Sequence, residues 1–149
     1  MEIIFNRVHS KKDLAISSTI LAAGIGLYFA NAALGILVAL CGMFMLLFYK
    51  TACKREGDDT LLEKKALELS VSRRESLINY LNGTCTTLNL SGSSEGAIIR
   101  LEVYFNSNYS VAYAQLYDFI NYSYIPAGEI VELHGGKADI LIDNLKKAK

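Results

Sequence analysis

The segment Ile130-Val131-Glu132-Leu133-His134-Gly135-Gly136-Lys137 has residue types suited to holding an anion. Two glycines let backbone N–H groups approach a ligand, the start of a following helix carries partial positive charge, and Lys137 adds a full one. The spacing is not that of a P-loop, which needs Gly-x-x-x-x-Gly-Lys-Ser/Thr, and paired glycines before a helix also serve as a plain tight turn. Arg100 is a second cation set among aromatic residues: Tyr104, Tyr109, Tyr113, Tyr117, Tyr122 and Tyr124 fall within 21 residues. Tyr109, Tyr113 and Tyr117 recur every four residues, as on one helical face, where a core or subunit interface competes with a base-stacking surface. Arg100, Tyr104, Tyr109, His134, Gly135, Gly136 and Lys137 are therefore the candidate residues for a small phosphorylated ligand, a nucleotide above all.

Catalytic chemistry finds less support. The chain has two histidines, His9 and His134, and no nucleophile motif surrounds Cys85 or the serines. Asp139 and Asp143, one helical turn apart and followed by Lys146 and Lys147, read as a solvated face rather than a metal pair. Cys41, Cys53 and Cys85 lack the paired spacing of a disulfide or zinc framework. The expectation is a non-enzymatic chain with no catalytic residue, no metal and no cofactor.

These residues must be positioned by elements of an α+β fold. From Thr60 to Leu81 apolar and charged residues mix in what reads as a helical pattern, a stalk with a break near Val71 and an end at Gly83. Thr84–Leu90 and Ala97–Phe105 read as strands joined by a turn over Ser91–Gly96. Ser110–Asn121 reads as a helix, Ile130–His134 as a third strand and Ala138–Lys147 as a last helix. On the second strand Ile99, Leu101, Val103 and Phe105 share one side, so Arg100, Glu102 and Tyr104 face the other. Glu132 and His134, with Cys85, Thr87 and Asn89, extend that polar face, which suits plain solvent, self-association or a ligand. The expected domain has a three-stranded, mainly antiparallel sheet packed by helices.

The N-terminal third differs in kind. Leu14–Tyr49 is a run of 36 residues without a charged side chain. As one helix it would span roughly 54 Å, well beyond a hydrocarbon core of about 30 Å, so a hairpin turning near Asn31 is expected, with transmembrane passes of about 14–30 and 32–49. A cleaved signal peptide competes for the first pass, but a second apolar stretch follows at once. Arg7, Lys11 and Lys12 precede the run and Lys50, Lys54 and Arg55 follow it, which places both termini in the cytoplasm. The organisation expected is a flank over 1–13, the hairpin over 14–49, a juxtamembrane stalk over 50–82 and a cytoplasmic α+β domain over 83–149. Ala22, Gly26, Gly35, Ala39 and Gly42 allow close helix packing, either between copies in a homo-oligomer or within the hairpin.

Residues 1–56 hold six Lys/Arg against three Asp/Glu, and residues 57–149 hold nine against twelve. An acidic domain is a poor binder of duplex nucleic acid. Two short passes with basic flanks, followed by a small α+β domain with a nucleotide pocket, resemble in layout the bacterial antiviral membrane effectors. Among these the chain is similar in plan to the small CRISPR-associated membrane effectors that sense cyclic tetra-adenylate. The resemblance implies a multi-pass protein of the bacterial inner membrane, with the lipid bilayer as a partner. Its oligomerised cytoplasmic domains would clasp a cyclic oligonucleotide while the helices perturb the membrane. The competing readings are a membrane-tethered adaptor or accessory subunit that binds another protein, and a plain pore-former with a regulatory tail.

Overall fold

A computed structural model describes residues 3–90 and 98–148, so the expected turn over 91–96 lies outside the described residues. The chain divides into two compact units, Ile4–Leu61 and, in the main, Leu62–Lys149.

In the first unit a short strand, β1 (Phe5–Val8), leads into α1 (Lys11–Tyr28) and α2 (Ala32–Phe48), and β2 (Ala52–Arg55) returns antiparallel to β1. Ser10 and Asp13 form a capping box at the start of α1: Asp13 N–H donates to Ser10 Oγ at 3.0 Å and Ser10 N–H to Asp13 Oδ2 at 2.8 Å. The same carboxylate accepts from Thr51 N–H at 2.9 Å and from the Thr51 hydroxyl at 2.7 Å, which ties the entrance of α1 to the exit of α2. Asn31 caps α2 by accepting from Leu34 N–H at 3.2 Å, so the turn falls at the expected residue. Between the helices the backbones all but touch. A Cβ added at Gly24, Gly35 or Gly42 would lie within 2.3–2.5 Å of the Ala39, Tyr28 or Leu21 backbone, whereas one at Gly26 would meet nothing within 4 Å.

No helix among the described residues is long and apolar enough to cross a membrane. The expected transmembrane hairpin is corrected on this finding, and with it the multi-pass inner-membrane location and the membrane character attached to it. The physical reason is length. α1 spends its first turn on Lys11, Lys12 and Asp13, leaving roughly 22 Å of uncharged helix. The 17 residues of α2 span roughly 26 Å against a hydrocarbon core of about 30 Å.

The expected three-stranded sheet is corrected as well: the described residues form seven strands, and every described pairing is antiparallel. Residues 61–70, expected as a helical stalk, are β3 (Leu61–Ser70). Its odd-numbered side chains Lys65, Leu67 and Leu69 share the side of Val103, Leu101 and Ile99 on the neighbouring β4 (Ile98–Asn106). The break near Val71 is a 3-10 turn (Val71–Arg73) leading into α3 (Arg74–Leu81), and Gly83 at φ +80 ends that helix as expected. Residues 84–90 form no strand. Residues 110–121, expected as a helix, are mostly β5 (Val111–Ile120), which pairs with β4 along one edge.

The other edge of β5 is shared by β6 (Ser123–Pro126) and β7 (Val131–His134). β5 turns into β6 through Asn121 and Tyr122, both at positive φ (50 and 60), the two-residue turn whose twist matches a hairpin. The last helix is α4 (Gly136–Lys147). Leu77, Tyr80 and Leu81 of α3 and Ala138, Leu141, Ile142 and Leu145 of α4 bury themselves against Ile99, Leu101, Val103, Ala112, Ala114 and Leu116, so both helices lie on one face of this sheet.

Burial opposes ionisation of Asp13, but the hydrogen bonds from Ser10 and Thr51 outweigh it and bring its carboxyl down to about 2. The stabilisation from a depressed carboxyl is present above its ordinary value of 3.8 and is lost as pH falls towards 2. Asp13→Asn is expected to lower the melting temperature at pH 6, and thermal melts down to pH 2 should show that difference closing. A second expectation concerns the helix contact. Gly35→Leu and Gly42→Leu should each destabilise by about 2 kcal/mol or more in denaturant titrations, as forced overpacking does, while Gly26→Ala should be neutral or slightly stabilising.

Candidate functional site

The pleat sends alternate residues of β3, β4 and β5 to the face opposite α3 and α4. There β3 presents Lys64, Ala66 and Glu68, β4 presents Arg100, Glu102 and Tyr104, and β5 presents Tyr113, Gln115 and Tyr117. β6 adds Tyr124, and β7 adds Glu132 and His134.

Glu102 is the hub of this face and only 7% exposed. Lys64 Nζ lies 2.6 Å from its Oε2, Arg100 Nη2 lies 3.0 Å from its Oε1, and the Tyr104 hydroxyl donates to Oε2 at 3.4 Å. Burial works against the charge on Lys64, yet its bonds to Glu102 and Tyr104 prevail and hold its ammonium above the ordinary value. The Arg100 guanidinium sits 5.1 Å over the Tyr124 ring, and the Tyr124 hydroxyl donates to Glu68 at 2.8 Å. That bond and burial push the Tyr124 phenol up. Tyr117 donates to Gln115 at 3.0 Å and is pushed up by burial, then by the negative charge of Glu102. Tyr113 donates to Glu132 at 3.2 Å, and His134 Nε2 lies 3.3 Å from the same Glu132 oxygen. The hydroxyls of Tyr104, Tyr113, Tyr117 and Tyr124 are thus each tied to a side chain of this face.

The candidate residues named from sequence divide between the two faces of the sheet. Arg100, Tyr104 and His134 lie together on the face opposite α3 and α4. Gly135, Gly136, Lys137 and Tyr109 do not join them. Gly135 adopts φ 57 and ψ −134, a conformation essentially restricted to glycine, and its N–H already donates to the Ser110 carbonyl at 2.9 Å. Lys137 turns towards the C-terminus of α3, where a Cβ on Gly83 would meet its Nζ at 2.9 Å, and its carbonyl accepts from the buried Tyr80 hydroxyl at 2.6 Å. An ammonium at a helix C-terminus is a structural pairing with the helix dipole. Tyr109, at φ 56 in the β4–β5 turn, packs on Phe105 and is covered by Lys146, which bonds to its hydroxyl.

Tyr113, Tyr117, Tyr124, Lys64 and Gln115 belong to the face and were not among the candidates. The signal for the first two was present: in Val111-Ala112-Tyr113-Ala114-Gln115-Leu116-Tyr117 small or apolar residues alternate with tyrosine and glutamine. Cys85, Thr87 and Asn89, expected on the same face, instead line a polar cleft of about 310 Å³ with Arg73, Ser76 and Asn79 of the α3 region. Hydrogen bonds from the Thr87 backbone and side chain draw the Cys85 thiol below its ordinary value. Among the described residues no group of three His, Cys, Asp or Glu is placed to hold a metal ion.

The face can stack flat rings on tyrosine, offer Arg100 and Lys64 to an anion, and accept hydrogen bonds at Glu68, Gln115 and Glu132. No protein-family model, no curated protein and no solved structure matches the chain.

Removing the hub strands two cations against a half-buried surface. Glu102→Ala is expected to cost about 1–2 kcal/mol, less than a fully buried pair because both partners keep some contact with water. Lys64→Met should cost less, since Arg100 still neutralises Glu102. Urea midpoints of the two variants check the order.

Proposed function

We propose that the second unit is a non-enzymatic recognition module that binds a nucleotide-class ligand on the sheet face opposite α3 and α4. The observation that carries this reading is the set of hydroxyl-anchored tyrosines Tyr104, Tyr117 and Tyr124 on one face with Arg100 and Lys64. Bases stack on preset aromatic rings, cations meet phosphate, and carboxylate and amide oxygens accept from exocyclic amines. Cyclic oligoadenylates and mononucleotides, which combine flat bases with phosphate, are the members of that class to try. Compared with the site expected from sequence, the ligand moves from the Gly135-Gly136 turn to the sheet.

One observation favours a second reading. The face carries three carboxylates, Glu68, Glu102 and Glu132, against two cations, which suits a protein partner better than a highly charged anion. Tyrosine and arginine are also the residues that anchor protein interfaces.

Calorimetry of the full chain with cyclic oligoadenylates and mononucleotides separates the two. The expected result is saturable heat with at least one of them, weakened about tenfold or more by Tyr117→Leu and by Arg100→Ala, and unchanged by Lys137→Ala. No heat with any nucleotide overturns the ligand reading and leaves the protein partner.

A further inference from the structure

We infer that the outer face of α2 pairs with the same face of a second copy of this chain. The inference is independent of the ligand reading. α2 contains no charged residue, and only one side of it is used by α1, through Gly35, Ala39 and Gly42. A helix that is apolar all round has to be covered all round. On the opposite side Leu37, Leu40, Phe44 and Leu47 recur at intervals of three, four and three residues, the repeat that lets one helix seat its side chains between those of another. They are 62, 54, 62 and 59% exposed and line a groove of about 630 Å³ with Cys41.

Two arguments select a second copy as the occupant. The exposed apolar side chains of α2 amount to on the order of 800 Å², about one partner's share of a standard interface. The face also matches itself: it carries no charge that a copy would repel, and an isologous pair needs only a surface complementary to its own image. The pairing leaves the tight α1 contact undisturbed, because small residues close the hairpin and large ones point outward.

The test uses the full chain. Sedimentation equilibrium over a hundredfold concentration range should give a dimer, and Leu40→Glu with Phe44→Glu should weaken it at least a hundredfold with the far-ultraviolet circular dichroism unchanged. Cys41 is exposed beside the groove, whereas Cys53 is buried. Mild copper-phenanthroline oxidation should therefore join two copies, removing one hydrogen from each Cys41 thiol to form the disulfide. The link should persist in Cys85→Ser and vanish in Cys41→Ser. If the double variant fails to fold, this cysteine pattern on otherwise native protein decides. A monomer throughout the range, or a link formed through Cys85 alone, overturns the inference. So does loss of the Cys41 link on adding phosphatidylcholine vesicles with which the chain co-floats, since lipid is then the occupant.

Discussion

The antiparallel register of β4 on β5 is the constraint from which the second unit follows. Leu101 opposite Leu116 and Val103 opposite Ala114 put the apolar residues of both strands on one side, where α3 and α4 cover them. The same pairing sets Arg100 beside Tyr117, Glu102 beside Gln115 and Tyr104 beside Tyr113 on the other. A slip of one residue in β4 would bury Arg100 and Glu102 and expose Ile99, Leu101 and Val103, and a slip in β5 would turn Gln115 and Tyr117 towards the helices and Ala112, Ala114 and Leu116 away from them. Core and polar face are thus two readings of one hydrogen-bond ladder, and the face cannot be loosened without cost to the core.

The parts of the fold legible in the sequence are those where one period is present. β4 alternates cleanly, and the strand–glycine–helix passage from β7 to α4 has its own punctuation. The stop of α3 at Gly83 and the turn at Asn31 rest on single residues with one good conformation. β5 is hidden because a spacing of four satisfies both periods: residues four apart share a side of a strand as well as of a helix. Tyr109 completed the helical impression, yet it stands in the turn. β3 was obscured differently. Its Glu and Lys residues lie on both sides of the strand, Lys65 reaching the Leu145 carbonyl with its ammonium at 2.6 Å, so the apolar alternation is diluted. The parity of Glu102 alone gives its face, but its role as the hub needs Lys64, which is far away in the chain.

In the helical hairpin, composition announced two apolar helices and their turn without revealing what they pack against. The small residues serve the intramolecular contact: Gly24 against Ala39, Gly35 against Tyr28 and Gly42 against Leu21. Ala22 and Gly26 stay outside it. Asp13 then closes the open end of the hairpin on Thr51, a bond between residues 38 apart that no local pattern signals.

The free edge of β5 is divided between β6 and β7, each four residues long, with Pro126 ending the first. Between them the chain stays tied to the strand by Ala127 N–H on the Leu116 carbonyl at 2.8 Å. A boundary cut into stretches of roughly 13 Å, one of them closed by a residue without an N–H, is a poor template for a foreign strand. This side of the domain is therefore guarded against fibril-like growth, in which strand adds to strand through the tyrosine-rich segment.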